Sequence, residues 1–354
     1  MKRPTGWSQP GLGRRVGQPQ TSGGPTVTAS GSWNGKSVRP ASHRQRSGVV
    51  AANVQPTAGG PHRALPVPAV VTRPRAFMGR WARLVLLSVR VGLRQQAALF
   101  AVAAACFVLI DSLALRAVRG AGDGGRPAWL NYLVFAIQGC PPSAGGAEGT
   151  GFELPIVWLV CQIVVLLMVG AEPTQESDTY VVQVLCRVGS RTTWWLARVA
   201  WMLLSVAAFY LIGALVAAVF VGLTGTSGEW VNPAVALSVN RLDVTRLDWW
   251  QLGALVALGP VVSVVLSSVQ LALAALGRPL LGLGATLVYV LVSSWAMHPV
   301  LIAQYSMIWR NRLVNRHGLP TSTMLWVCLG VIVTAVTLGA WVVHRRDVLG
   351  PAGD

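Results

Sequence analysis

Not one acidic residue precedes Asp111, and lysine is almost absent: two lysines stand beside 27 arginines. Charge of either sign is scarce, at 12% of 354 residues, about half the share of an average soluble domain. Hydrophobic residues make up 53% and mean hydropathy is +0.53. So little polar surface argues against a large soluble globule. The five cysteines, Cys106, Cys140, Cys161, Cys186 and Cys328, form no CxxC or metal-ligand spacing, so neither a disulfide framework nor a zinc site is implied. Most lie in apolar runs, where cysteine behaves as a small hydrophobe.

Catalytic constellations are missing as well. The histidines are scattered at 43, 62, 298, 317 and 344. No HExxH, no GxSxG and no paired intramembrane carboxylates occur, and catalysis needs such groups gathered in one pocket. The expectation is a non-enzyme with no catalytic residue, no metal ligand and no cofactor of its own. SGSWNGKS, residues 30–37, imitates a phosphate-binding loop, but Ser30 stands where the motif needs glycine. No strand or helix pattern flanks it either, so it is read as a chance match.

What is present falls into two parts. Residues 1–77 hold 11 of the 29 basic residues among Pro, Gly, Ser and Thr, with no apolar periodicity. Such a segment cannot bury enough surface to offset its ordering entropy, and no signal-peptide core is visible in it. A disordered basic tail is expected there. The alternative expectation is that Met78 is the native start. The remainder carries 18 bases against 12 acids. Arginine, alanine and glycine in place of lysine fit a GC-rich, bacterial coding sequence. No nucleic-acid partner is expected.

From residue 78 to 354 the pattern is that of an all-α integral membrane protein. Arg80, Arg83, Arg90 and Arg94 fall on one helical stripe, with Trp81, Val85, Leu86, Val89 and Leu93 around the rest. That predicts an N-terminal amphipathic helix lying at the membrane surface, arginines toward anionic lipid. Six apolar runs follow, at about 97–115, 154–170, 199–223, 252–276, 280–297 and 324–343, each near the ~20 residues that cross a bilayer. Asp111 is expected near enough to the end of the first run to reach the interface. AWLNYLVFAIQ, residues 128–138, is too short to span and reads as interfacial or partly re-entrant. After Asp111 no ionisable residue falls in mid-span, which argues against an ion-coupled carrier; Gly259-Pro260 alone interrupts a run. With both termini cytoplasmic, inside segments hold 21 Lys/Arg and outside segments 8. Without residues 1–77 the contrast shrinks to 10 against 8, so positive-inside bias sets orientation only weakly.

NPAVALSV, residues 232–239, is similar to the aquaporin signature, but that family carries two copies and this chain has one. Asn232-Pro233 therefore reads as a helix start, asparagine capping and proline suiting the first turn. Between the second and third runs, TYVVQVLCRV predicts a short helix with Tyr180, Gln183 and Arg187 on one face. Gly189 ends that helix and Ser190 caps the next. Trp194, Trp195 and Arg198 then enter the interface as anchors. The stretch is an elbow: a surface helix, a turn, then a tryptophan-anchored span.

Leu185-Cys186-Arg187-Val188-Gly189-Ser190-Arg191 and Thr193-Trp194-Trp195-Leu196-Ala197-Arg198 carry a resemblance. So, more weakly, do Gln304-Tyr305-Ser306-Met307 and Arg310. The chain resembles a permease of the type-2 exporter class of ABC transporters, in its poorly characterised bacterial members. The resemblance implies a soluble ATP-binding subunit that carries ATP and Mg, and a second permease subunit, alike or different. It also implies that the first cytoplasmic loop makes the coupling contact. On this sequence that is the elbow 178–191, with Asp178, Tyr180, Gln183, Arg187, Ser190 and Arg191 toward the ATPase. The same arginines would equally suit lipid headgroups. The second cytoplasmic loop shrinks to Gly277–Pro279. Localisation in the bacterial inner membrane follows. The rival expectations are a non-transporting scaffold or immunity subunit and, further off, a secondary carrier or channel.

Overall fold

A computed structural model of the chain describes residues 74–122, 125–140, 154–175, 190–225, 229–276 and 279–345. The chain divides after Pro68 into two units, and the second, Ala69–Asp354, holds every described residue. Of residues 1–77, expected as a disordered tail, 1–73 lie outside the described residues and 74–77 belong to the first helix.

The described residues are mostly helical, without a named strand. In chain order the helices are α1 (Pro74–Gln95), α2 (Ala97–Ala121), α3 (Trp129–Ile137), α4 (Ile156–Gln175), α5 (Arg191–Thr224), α6 (Pro233–Ser238), α7 (Trp249–Ala274), α8 (Pro279–Trp295) and α9 (Thr321–Arg345). Four of them, α2, α5, α7 and α9, are long and apolar enough to cross a membrane. The two remaining apolar runs are helical but shorter, at Ile156–Ala171 and Pro279–Trp295. Large exposed apolar side chains cover the outer faces, among them Leu211, Leu215 and Leu223 of α5 and Leu329, Val333 and Leu338 of α9. A water-soluble monomer does not present so continuous an apolar surface; hydrocarbon is its natural solvent.

At the centre stands α7. Over half of its apolar window is buried (56%), against 22–28% for the other three long helices. It packs on α4, α5, α8 and α9. Its buried face carries small polar residues, Ser263, Ser267, Ser268 and Gln270, which allow close approach and hydrogen bonding between helices in lipid. Tyr210 pairs with Ser263 (2.8 Å), Ser263 donates to Gln162 Oε1 (3.2 Å), and Gln270 donates to the Leu166 carbonyl (3.1 Å). Pro260 lies inside the helix without ending it.

Elsewhere rings settle on glycines. Phe107 of α2 covers Gly213 of α5, Trp201 of α5 covers Gly92 of α1, and Trp195 of α5 covers Gly339 of α9. At each position a Cβ would overlap the ring. The small residue brings two backbones together and the ring fills the space so opened.

The connections 125–140, 229–248 and 296–320 meet at one end of the bundle. Asn131 Oδ1 accepts from the amides of Ala128 and Asn232, both at 2.9 Å, and its Nδ2 donates to the Asn232 carbonyl (3.1 Å). Asn232 caps α6, its Oδ1 accepting from Ala234 N (3.0 Å) and Val235 N (3.4 Å), with Pro233 in the first turn. The helix start read from Asn232-Pro233 is therefore present. Trp309 N donates to the Gln138 carbonyl (3.3 Å), joining the third connection to the first. Replacing Asn131 by Leu removes three bonds and leaves backbone groups unpaired. The expected cost is about 2–3 kcal/mol, read as a lower thermal midpoint of the detergent-purified protein; an unchanged midpoint would contradict this clamp.

Candidate functional site

The elbow begins to be described at Ser190. Its hydroxyl accepts from Thr193 N at 3.4 Å, so it is the cap of α5, as the sequence reading expects. The helix it starts has 34 residues, about 51 Å at 1.5 Å per residue. That exceeds a ~30 Å hydrocarbon layer, so α5 extends beyond an apolar slab of that thickness. Arg191, in the first turn, donates through Nη1 to the His344 carbonyl at 2.8 Å. A cation there meets the negative end of the α9 dipole and one of its unpaired carbonyls. One turn on, Trp195 is 1% exposed and its Nε1 donates to the Val336 carbonyl at 3.0 Å. The entrance of α5 is thus clasped to the last three turns of α9.

Other residues singled out in the sequence fall in different places. Asp178, Tyr180, Gln183 and Arg187 lie outside the described residues. Arg83, Arg90 and Arg94 are exposed along α1, and Arg80 belongs to the same helix. Trp194 is half-buried, with the Arg198 guanidinium 4.4 Å from its ring centroid. Trp195 and Arg198 are buried. Periodicity at a span entrance reads both as interface anchors, but the close approach of α9 at Gly339 turns Trp195 into a packing residue.

At the opposite end the structure gathers a group that the sequence shows only as a run of basic residues. Arg312 and Arg316 are exposed, whereas Arg310 is 1% exposed. Its Nη1 donates to the carbonyls of Ser293 (2.8 Å) and Ala296 (2.9 Å) and to Gln304 Oε1 (2.9 Å). Its Nη2 donates to the Ser294 carbonyl (2.6 Å) and lies 3.7 Å from Cys140 Sγ. Among the described residues no carboxylate joins this set. The charge is offset by the C-terminal end of α8 and its unpaired carbonyls. Ser293 and Ser294 turn their own hydroxyls back to the Tyr289 and Leu291 carbonyls, both at 2.7 Å, leaving their backbone oxygens for the guanidinium. The neighbouring motif residues complete the knot: Tyr305 donates to the Pro299 carbonyl, Gln304 to the His298 carbonyl, and Ser306 Oγ accepts from Trp158 Nε1 (2.8 Å). Gly318 lies against the backbone of Arg310–Arg312, where a Cβ would fall 2.5 Å from the Asn311 carbonyl carbon.

Asp111 departs from expectation. Helix α2 runs on to Ala121, past Arg116 and Arg119, so Asp111 sits well inside the helix instead of near its end. It is 2% exposed and its Oδ2 makes no hydrogen bond. The apolar run was ended by its arginines, but both are exposed and the helix carries them outward.

No family model matches the chain, and no curated protein or solved structure does either. Function is therefore argued from the geometry and the sequence together. Among the described residues no group of three or more His, Cys, Asp or Glu could hold a metal ion.

Two partly open pockets adjoin α7 among the described residues. One, about 320 Å³, is lined by Val265, Val269, Thr286, Tyr289, Ile302 and Val331 and their neighbours. Its hydroxyls are already bonded, Thr286 to the Gly282 carbonyl (2.5 Å) and Tyr289 to the Val300 carbonyl (2.6 Å). The second, about 190 Å³, lies among Phe107, Ile137, Cys161, Phe209, Tyr210 and Pro260. Both are apolar and carry no set of convergent polar groups of the kind that fixes a ligand.

Proposed function

We propose that this chain is the membrane-spanning subunit of an ATP-driven export system, powered by a separate soluble ATPase that carries ATP and Mg. The observation that supports this most directly is the clasp between the elbow and α9. A push delivered to Ser190 and Arg191 passes to α9 through the Arg191–His344 and Trp195–Val336 bonds. A surface lipid anchor has no use for such a linkage, while a coupling element needs one.

In this reading all six apolar helices cross the membrane. At 1.5 Å per residue, α4 reaches about 30 Å and α8 about 26 Å, near the thickness of the hydrocarbon layer. Helix α1 lies at the cytoplasmic surface of a bacterial inner membrane with its exposed arginines on anionic lipid. Both termini are cytoplasmic, and the layer built by Asn131, Asn232 and Arg310 caps the outer face. A second permease subunit completes the pathway.

The first test is a pull-down from native membranes in mild detergent, with mass spectrometry of the retained proteins. A stoichiometric ATP-binding subunit is expected. Its absence, under conditions that preserve other membrane complexes, would favour a non-transporting scaffold. The second test is Arg187→Glu combined with Arg191→Glu. Insertion and yield should hold while transport, or ATPase stimulation by the purified complex, falls to background. Undiminished stimulation in that double variant removes the elbow from the coupling path.

A further inference from the structure

The exposed tryptophans of the described residues all stand at helix ends or in a connection, and none lies in the middle of a helix. Trp249 (86% exposed) and Trp250 (56%) open α7. Trp295 (65%) is the last residue of α8, and Trp326 (73%) lies in the second turn of α9. Trp230 (75%) belongs to the connection 229–248. These five mark the loop end, and Trp341 stands near the other end of α9. Between the two ends the large exposed hydrophobic side chains are aliphatic, such as Leu211 and Leu215 of α5 or Leu329 and Val333 of α9.

An indole pairs an apolar ring with an N–H donor, so water and hydrocarbon each suit only half of it. It collects at the boundary between the two. The loop-end indoles come from three helices and a connection. A layer surrounding the bundle reaches all of them at once, whereas a single docked protein covers one side.

The same connections supply charge. Asn240, Leu242 and Val244 are buried while Arg241, Asp243 and Thr245 are exposed, so the segment lies along the end of the bundle with alternate side chains outward. Arg246 is paired with Asp243 at 3.0 Å. Arg241, with Arg312 and Arg316 of the connection 296–320, is exposed, and these three form no ion pair among the described residues. Guanidinium groups bind phosphate in a bidentate fork, and basic residues next to an apolar span are drawn to anionic lipid. Indoles at the boundary with bare guanidinium groups beyond them match a phospholipid surface in both polarity and charge.

We propose that the loop end is a face that binds phospholipid headgroups: Trp249, Trp250 and Trp326 lie in the headgroup layer, and Arg241, Arg312 and Arg316 take lipid phosphates. The assignment concerns the loop end alone. It holds with or without an ATPase at the elbow, so the two readings fail separately.

The full-length protein is reconstituted in phosphatidylcholine vesicles whose chains carry bromine either near the headgroup or at the chain end. The fluorescence of Trp249→Phe/Trp250→Phe is subtracted from that of the wild type, which isolates two of the chain's 15 tryptophans. Shallow bromine should quench this difference about twice as strongly as deep bromine, or more. Stronger quenching by deep bromine would bury the indoles in hydrocarbon. Quenching by aqueous iodide alone would place them in water, and quenching by neither would place them under a second protein. Each of these three results overturns the proposal. Should the double variant fail to fold, Trp326→Phe carries the same comparison. For the arginines, the thermal midpoint of the detergent-purified protein is followed during titration with short-chain phosphatidylglycerol. The midpoint should rise saturably. Arg241→Gln combined with Arg312→Gln and Arg316→Gln should lower the apparent lipid affinity, about fivefold for each arginine removed. A triple variant that responds as the wild type does overturns the phosphate contacts, and so does a wild type that responds as strongly to inorganic phosphate.

Discussion

Arg310→Met should lower the thermal midpoint by roughly 10 °C or more, the largest stability loss expected of any single substitution at the loop end of this protein. Methionine fills much the same length but offers no donor. The carbonyls of Ser293 and Ala296 and the Gln304 amide oxygen then lose their partner, and the Ser294 carbonyl keeps only the weak Cys140 thiol at 3.9 Å. Each buried acceptor left unpaired costs about 1 kcal/mol or more, so the sum is about 3–5 kcal/mol, and in a protein of this size each kcal/mol moves the midpoint by about 2–4 °C. The loss of a cation at the α8 C-terminus adds to it. Arg310→Lys keeps the charge but has three donors on a single nitrogen, so it should fall between the two. Arg312→Met is the control, because that side chain is exposed and surface changes usually stay within about 0.5 kcal/mol. Equal midpoints for wild type and Arg310→Met, by circular dichroism or dye-based unfolding, would show that the guanidinium does not hold the end of α8.

Arg310 also marks how far the sequence alone could be read. The long apolar helices were legible because burying a helix in lipid requires nothing subtler than ~20 apolar residues in a row. Local caps were legible for a similar reason: Ser190 and Asn232 bond to amides two or three residues away, so their partners are written beside them. Arg310 was not. Its acceptors lie 6 to 17 residues back along the chain, and the guanidinium among them looks in sequence like one more base in a polar loop with Arg312 and Arg316. Asp111 failed for another reason. Span ends were placed at the first arginines, but an α-helix continues through exposed arginines at no great cost once its other face is packed. The six extra residues of α2 move Asp111 from the margin to the interior. Trp195 shows a third kind of loss, since only Gly339, 144 positions away, reveals that the indole faces another helix and not lipid headgroups.

Side-chain bonds to backbone hold the described residues of the loop end together. Asn131 bonds to Asn232, Arg310 to the end of α8, and Tyr305 and Gln304 to their own loop. Such a layer resists motion, because each group released would be left unpaired in a poorly hydrated place. At the elbow end the described residues include two bonds from α5 to carbonyls of α9.

Gly339→Leu tests that linkage. The leucine side chain would occupy the place of the Trp195 ring, which has no room to withdraw at 1% exposure. Overpacking of this kind costs typically 1–3 kcal/mol, and the Trp195–Val336 bond, worth about 1 kcal/mol, is lost with it. The expected result is a destabilised protein in which the start of α5 has separated from α9. Proteolysis near residue 190 should then become faster, while cleavage at the loop end stays unchanged. Trp195→Ala alone should lose stability through the cavity it leaves. Combined with Gly339→Leu it should recover part of that loss, because leucine fills the space that the indole vacates. A coupling energy of about 0.5–3 kcal/mol between the two substitutions is expected for residues in direct contact. If the two effects simply add, the ring and the glycine do not touch in the folded protein, and of the two bonds described between the start of α5 and α9 that from Arg191 is left.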